Sequence, residues 1–151
     1  MANRMKHILD QVISPTQRAF IPNRLITDNI IIGYECLYKI RHSKGKRNGL
    51  VALKLDISKA YDRMEWVFFK QIMIRLGFLN KWVDLVMNRI TTSSFFVIIN
   101  ENPNGTIYPQ RGLRQGCLLS PYLFILYAEA FSNILLQAEQ NHLIQVLKFG
   151  K

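Results

Sequence analysis

Apolar residues recur every three or four positions along much of this chain, the spacing of one helical face. Met5, Ile8, Leu9 and Val12, with Arg4, Lys6 and Asp10 between them, predict a short amphipathic helix over 2–12. After Ser14-Pro15, Thr27 or Asp28 caps a longer helix from Asn29 to about Ser43. Its Ile30, Ile31, Tyr34, Leu37, Tyr38 and Arg41 trace a mostly apolar stripe, and Ile30, Tyr34 and Leu37 are expected in the core. Trp66, Phe69, Ile72, Met73 and Leu76 mark a third helix that Gly77 closes, and Trp82, Leu85, Val86 and Arg89 a fourth from Lys81 to Ile90. Ser120 as N-cap and Pro121 at the first helical position open a last helix to about Gln140, with Phe124, Tyr127, Phe131, Ile134 and Leu135 facing inward.

Elsewhere the pattern is that of strands. The run from Leu50 to Leu55 is almost continuously apolar and ends in Asp56, which predicts a buried central strand over Val51–Asp56. Ser94–Asn100 and Thr106–Pro109 predict an antiparallel hairpin about the turn-forming cluster Glu101-Asn102-Pro103-Asn104-Gly105, and Leu143–Phe149 a final strand. The expected class is therefore α/β of the α+β type, without parallel crossover symmetry.

A strand buried on both faces cannot cheaply bury a charge, so Asp56 sits at its exposed end or meets a cation. Magnesium suits a carboxylate there, because phosphoryl-transfer sites hold that ion with one or two protein carboxylates plus substrate phosphates. A plain helix cap for the turn near Ser58 is the competing reading of Asp56 taken alone.

With 151 residues, 49% of them hydrophobic, the chain is long enough for one core. Its 20 Lys and Arg against 10 Asp and Glu make a polyanion the natural partner, with an anionic surface or acidic substrate a weaker second. Cys36 and Cys117 lie far apart with no metal-ligand spacing, so neither a disulfide framework nor a zinc site is expected. The N-terminus has no apolar core of signal-peptide length and no run reaches membrane-spanning length, so an intracellular protein without membrane association is expected, nucleus and cytoplasm not being distinguished. Residues 41–49 read as a basic, solvated connection.

Three stretches change the odds on Asp56. LKLDISKAYDR (53–63), RGLRQGCLLSP (111–121) and, upstream, QRAFIPNR (17–24) followed by Ile26-Thr27-Asp28-Asn29 stand in this order along the chain. Together they resemble the reverse transcriptase of non-LTR (LINE-type) retrotransposons, the plant ones in particular, and the resemblance runs over nearly the whole chain. It implies a partial reverse transcriptase domain in which 1–49 and 66–118 are fingers-like and 50–65 and 119–151 palm-like.

The same resemblance assigns roles. It implies that Asp56 is a catalytic carboxylate and Mg2+ ligand, that the backbone carbonyl of Ile57 touches a second ion, and that Tyr61 lies beneath the sugar of the incoming deoxynucleotide and excludes a 2′-hydroxyl. Gln115 and Gly116 match the pair that contacts the template and the nascent base pair. Arg18, Arg24, Arg111 and Arg114 are candidates for the nucleic-acid backbone, with ordinary solvated arginines as the alternative. The implied partners are an RNA template, a DNA primer and a dNTP. Asp62 is not a metal ligand by this analogy, and a structural role is expected of it.

The sequence also departs from that family's pattern. Asn23 stands where glycine is usual, and Asn tolerates the left-handed backbone such a turn needs. Leu118 replaces a proline, which relaxes the backbone after Gln115-Gly116. No adjacent Asp pair occurs in the 151 residues, so the second half of the family's metal site is not supplied here, nor is a thumb expected, and the chain alone is expected to be inactive. A non-catalytic nucleic-acid-binding remnant, or a relic that no longer folds stably, stays open beside the polymerase fragment. A phosphatase or receiver-type site would want another carboxylate beside Asp56, where Ile57 and Ser58 supply none.

Overall fold

A computed structural model describes residues 1–42 and 51–146. In chain order the elements are α1 (Ala2–Lys6), α2 (Leu9–Val12), α3 (Thr27–His42), α4 (Trp66–Arg75), α5 (Asn80–Thr91), β1 (Phe95–Ile99), β2 (Asn102–Ile107) and α6 (Ser120–Gln140). The protein is a mixture of helices and one small antiparallel sheet, as a partial domain of the expected class would be.

One core holds the molecule together. Met5 and Leu9 of α1 and α2, Phe69 and Met73 of α4, Val83 and Val86 of α5, and Leu123, Ile125 and Leu126 of α6 are buried against one another. The turns between them contribute Ile13, Ile21, Met64, Leu113 and Leu119. α4 and α5 form a helical hairpin through Gly77, whose positive φ closes α4 as its sequence position predicts. α6 lies across α4 and reaches α1.

The expected hairpin is present with a tighter turn. β1 and β2 pair antiparallel through Asn100-Glu101, both left-handed, as a two-residue hairpin loop requires. The residues read as a turn, 102–105, therefore belong to β2. Phe96 pairs with Thr106 and Val97 with Asn104, so Gly105 is left over as a bulge residue with φ +62°.

The central strand is not formed. Residues 51–57 carry no regular structure and are exposed, Val51 at 85% and Leu55 at 59%. A strand exists only by pairing, and among the described residues the one sheet is β1–β2, so this run has no ladder to join. The final strand fails likewise over 143–146; the rest of it, with the basic connection from Ser43 onward, lies outside the described residues.

Other corrections concern packing and helix ends. The first helix is split at His7-Ile8 into α1 and α2. α3 begins at Thr27 and buries none of its residues: Ile30, Tyr34 and Leu37, expected in the core, are exposed because no other described helix or strand lies against them. In α6 the inward face ends after two to three turns, leaving Phe131, Ile134 and Leu135 exposed, while Phe124 and Tyr127 pack on the core. Ser120 is the first residue of α6 rather than its cap, a place Leu119 takes, and its hydroxyl instead donates to the Arg114 carbonyl at 2.7 Å.

Candidate functional site

Two of the recurring sequence stretches meet through their backbones. After the exposed run, the chain turns at Lys59, whose φ is +52° and whose carbonyl accepts from the amides of Asp62 and Arg63. This turn presents the carbonyls of Tyr61 and Met64 to the RGLRQG segment. The Gly112 amide donates to Met64 at 2.8 Å and the Leu113 amide to Tyr61 at 2.9 Å. In return the Trp66 indole Nε1 donates to the Gly112 carbonyl at 2.7 Å, and Arg111 faces Glu65 at 3.4 Å.

Gly112 makes this approach possible. Its φ is +90°, and a Cβ there would stand 3.1 Å from the Tyr61 oxygen and from Asp62 Cα and O. The backbone of Asp62 packs under Gly112. The Tyr61 ring rests 5.2 Å from that of Phe124 on α6, which fixes it from the other side.

The docking brings Tyr61, Gln115 and Gly116 onto one cavity of about 600 Å³, whose wall also includes Phe20, Cys117 and Tyr122. A larger cavity of about 820 Å³ shares Gln115, Cys117 and Ser120 with the first. Arg89, Arg111 and Arg114 line it with Gln115, and Asp62 is the acid among its lining residues. Its charge balance suits an anion. Periodicity assigned Arg89 to a packed helix face; its neighbours in space, not in sequence, place it beside the other two.

The upstream arginines are engaged. Arg24 Nη1 donates to the carbonyls of Ser14 and Gln17 at 2.7 Å each, and Nη2 meets Asp10 at 3.2 Å. These bonds brace the QRAFIPNR turn, in which Asn23 has φ +60°, the left-handed conformation its residue type allows. Arg18 pairs with Asp28 at 3.6 Å, and its Nε is buried without a hydrogen-bond partner.

Cys117 is exposed just before α6. The Leu119 amide holds its thiol below the ordinary value; partial burial opposes this, while the amide and hydroxyl of Ser120 and the charge of Arg114 add to it. Nothing in the sequence pattern singled this cysteine out.

Asp56 and Ile57 are exposed on the irregular run. Among the described residues no group of three or more Asp, Glu, His or Cys could hold a metal ion, so the described side chains do not make a two-metal centre. No described helix is long and apolar enough to cross a membrane.

Residues 1–147, which include both docked stretches, match the family model for reverse transcriptase (RNA-dependent DNA polymerase), and the chain belongs to that family. Within it, the chain is similar to proteins of non-LTR retrotransposons. It is 32% identical over 130 residues to an uncharacterized 149 kDa protein of transposon TX1 from Xenopus laevis, covering 85% of this chain and 10% of that protein. It is 33% identical over 94 residues to the retrovirus-related Pol polyprotein of the type-1 retrotransposable element R2 from Popillia japonica, covering 62% of this chain and 15% of the polyprotein. An uncharacterized mitochondrial protein of Arabidopsis thaliana is 54% identical over 44 residues, 29% of this chain and 36% of that one. The chain thus spans a small part of the length of its retrotransposon relatives.

Proposed function

We propose that this chain carries the nucleotide- and template-seating part of an RNA-directed DNA polymerase from a plant-type non-LTR retrotransposon. Tyr61, Gln115 and Gly116 seat the incoming dNTP; Arg111 and Arg114, now with Arg89, hold phosphates of the RNA template or DNA primer. The carrying observation is the backbone docking of RGLRQG on 61–66, which puts Tyr61, Gln115 and Gly116 on one wall. Charge supports it, with a net +10 and three arginines on the adjoining cavity. The short, closely matching Arabidopsis segment supports the plant affiliation.

Reverse transcriptases use divalent metal ions. Asp56, with the Ile57 carbonyl, is the proposed contact for Mg2+; no group of three or more metal-binding side chains forms among the described residues, and the chain's own part is to bind and orient. Arg24 acts by bracing its turn, since its guanidinium is already bonded to Ser14, Gln17 and Asp10. Arg18 remains a candidate phosphate contact beside Asp28. The division into fingers-like 1–49 and 66–118 and palm-like 50–65 and 119–151 belongs to the same reading.

Equilibrium binding of Mg–dATP and Mg–ATP tests it. The parent should prefer dATP, and Tyr61→Ala should weaken dATP binding and lose the preference, because the ring that would meet a 2′-hydroxyl is gone. Equal affinity of parent and variant for both nucleotides would overturn the assignment.

A further inference from the structure

Phe20 is built in a way the core does not explain. Its φ is +60°, a backbone state that costs a bulky side chain of order 1–3 kcal/mol, and the residue is 62% exposed, so burial does not offset that cost. The residues around it hold it there. Ile21 is buried in the core at 5% exposure, Asn23 is left-handed as well, and Arg24 ties the loop to Ser14 and Gln17. A strained aromatic on a braced loop is therefore presented, not stored, and it is presented to the cavity of Tyr61, Gln115 and Gly116.

We propose that Phe20 is a stacking residue for a nucleobase seated in that cavity. The proposal rests on the reading of the cavity as a nucleotide site and adds the residue that grips the base, where Tyr61 and Gln115 account for sugar and pair. An aromatic face is the surface that binds any base without regard to its hydrogen-bonding edge. Phe20 has no polar atom and offers nothing to phosphate. Its contribution is therefore confined to ligands that carry a base.

The test compares ligands with and without one. Binding of Mg–dATP and of Mg–tripolyphosphate is measured by equilibrium dialysis for the parent, Phe20→Ala, Phe20→Tyr and Tyr61→Ala, alongside a deoxyadenosine oligomer and its abasic counterpart. Phe20→Ala should bind dATP or the deoxyadenosine oligomer about tenfold more weakly. Tripolyphosphate and the abasic oligomer should bind as before, and Phe20→Tyr should stay near the parent. Which of dATP and the oligomer responds tells whether the base belongs to a free nucleotide or a strand. Equal losses for ligands with and without a base would mean that Phe20 only shapes the loop, and overturns the proposal, as does unchanged binding throughout. If Tyr61→Ala weakens dATP while Phe20→Ala weakens neither dATP nor the deoxyadenosine oligomer, the stacking role falls and the nucleotide site stands; if the parent binds neither dATP nor the oligomer, both fall.

Discussion

The Trp66 indole donates a 2.7 Å hydrogen bond to the carbonyl of Gly112, joining residues 46 positions apart. This bond and the two amide bonds from Gly112 and Leu113 make one junction of the segments before α4 and α6. The candidate cavity exists because of it.

Gly112→Ala should therefore damage both stability and site. The added Cβ meets backbone atoms at 3.1 Å in a φ of +90°, and backbone cannot yield as a flexible side chain can. A loss of about 1–3 kcal/mol is expected from the strain. Trp66→Phe keeps most of the packing and removes the donor, at about 1–2 kcal/mol for the carbonyl left behind. Urea unfolding of parent and variants measures both; a Gly112→Ala protein as stable as the parent would show that the junction is loose.

Cys117 gives a pH-dependent signature of the same region. Its thiol is held below the ordinary value chiefly by the Leu119 amide, so at any given pH more of it is thiolate than in the unfolded chain. Its alkylation by iodoacetamide, followed by mass spectrometry, should reach half its limiting rate at a lower pH in the folded protein than in urea. Ser120→Ala removes one lowering contact and should move the folded curve upward. Coincident folded and unfolded curves would contradict this.

How much of this could be read from the sequence varies with the range of the forces involved. Helices α4, α5 and α6 were legible because their apolar spacing is satisfied by mutual packing, as Phe69, Val86 and Leu123 show. The run ending at Asp56 has the composition of a buried strand, but a strand's hydrogen bonds come from elsewhere, and composition cannot reveal whether a partner is beside it. The stripe of α3 misled in the same way: Ile30 and Tyr34 have the right spacing and no described element to pack on. Motif order singled out Tyr61, Gln115 and Gly116, which the fold brings onto one cavity. Phe20 and Cys117 lie inside the recurring stretches but carried no role there, and Arg89 joins them only through tertiary position. Arg24 was legible as important but not as a brace, because residue type does not tell a phosphate ligand from a carbonyl ligand.

Arg111 and Arg114 are exposed on the basic cavity, Arg111 in a surface pair with Glu65 that is worth at most about 1 kcal/mol. They are free to exchange that pair for phosphate. Binding of single-stranded RNA or DNA should be weak and fall steeply with salt, and Arg111→Ala with Arg114→Ala should weaken it for all sequences while reducing the slope of log K against log salt by about 1.4, or about 0.7 for each lost phosphate contact. Binding that is indifferent to salt, or unchanged in the double variant, would return both arginines to ordinary surface.

The chain by itself should not extend a primer. In-line phosphoryl transfer with two ions needs carboxylates that hold both metals against the triphosphate. Asp56 is exposed on an irregular run, and no acid, histidine or cysteine cluster among the described residues completes a centre around it. Asp62 and Glu65, the nearest acids in sequence, belong to the junction: the first has its backbone packed under Gly112, and the second pairs with Arg111. Primer extension on an RNA template, run first with Mg2+ and then with Mn2+, should give no product with the parent chain or with Asp56→Asn. Product from the parent that disappears in Asp56→Asn would show that Asp56 is completed into a working site, for instance by a second copy of the chain. A product yield that rises with the square of chain concentration would then identify that copy as the source.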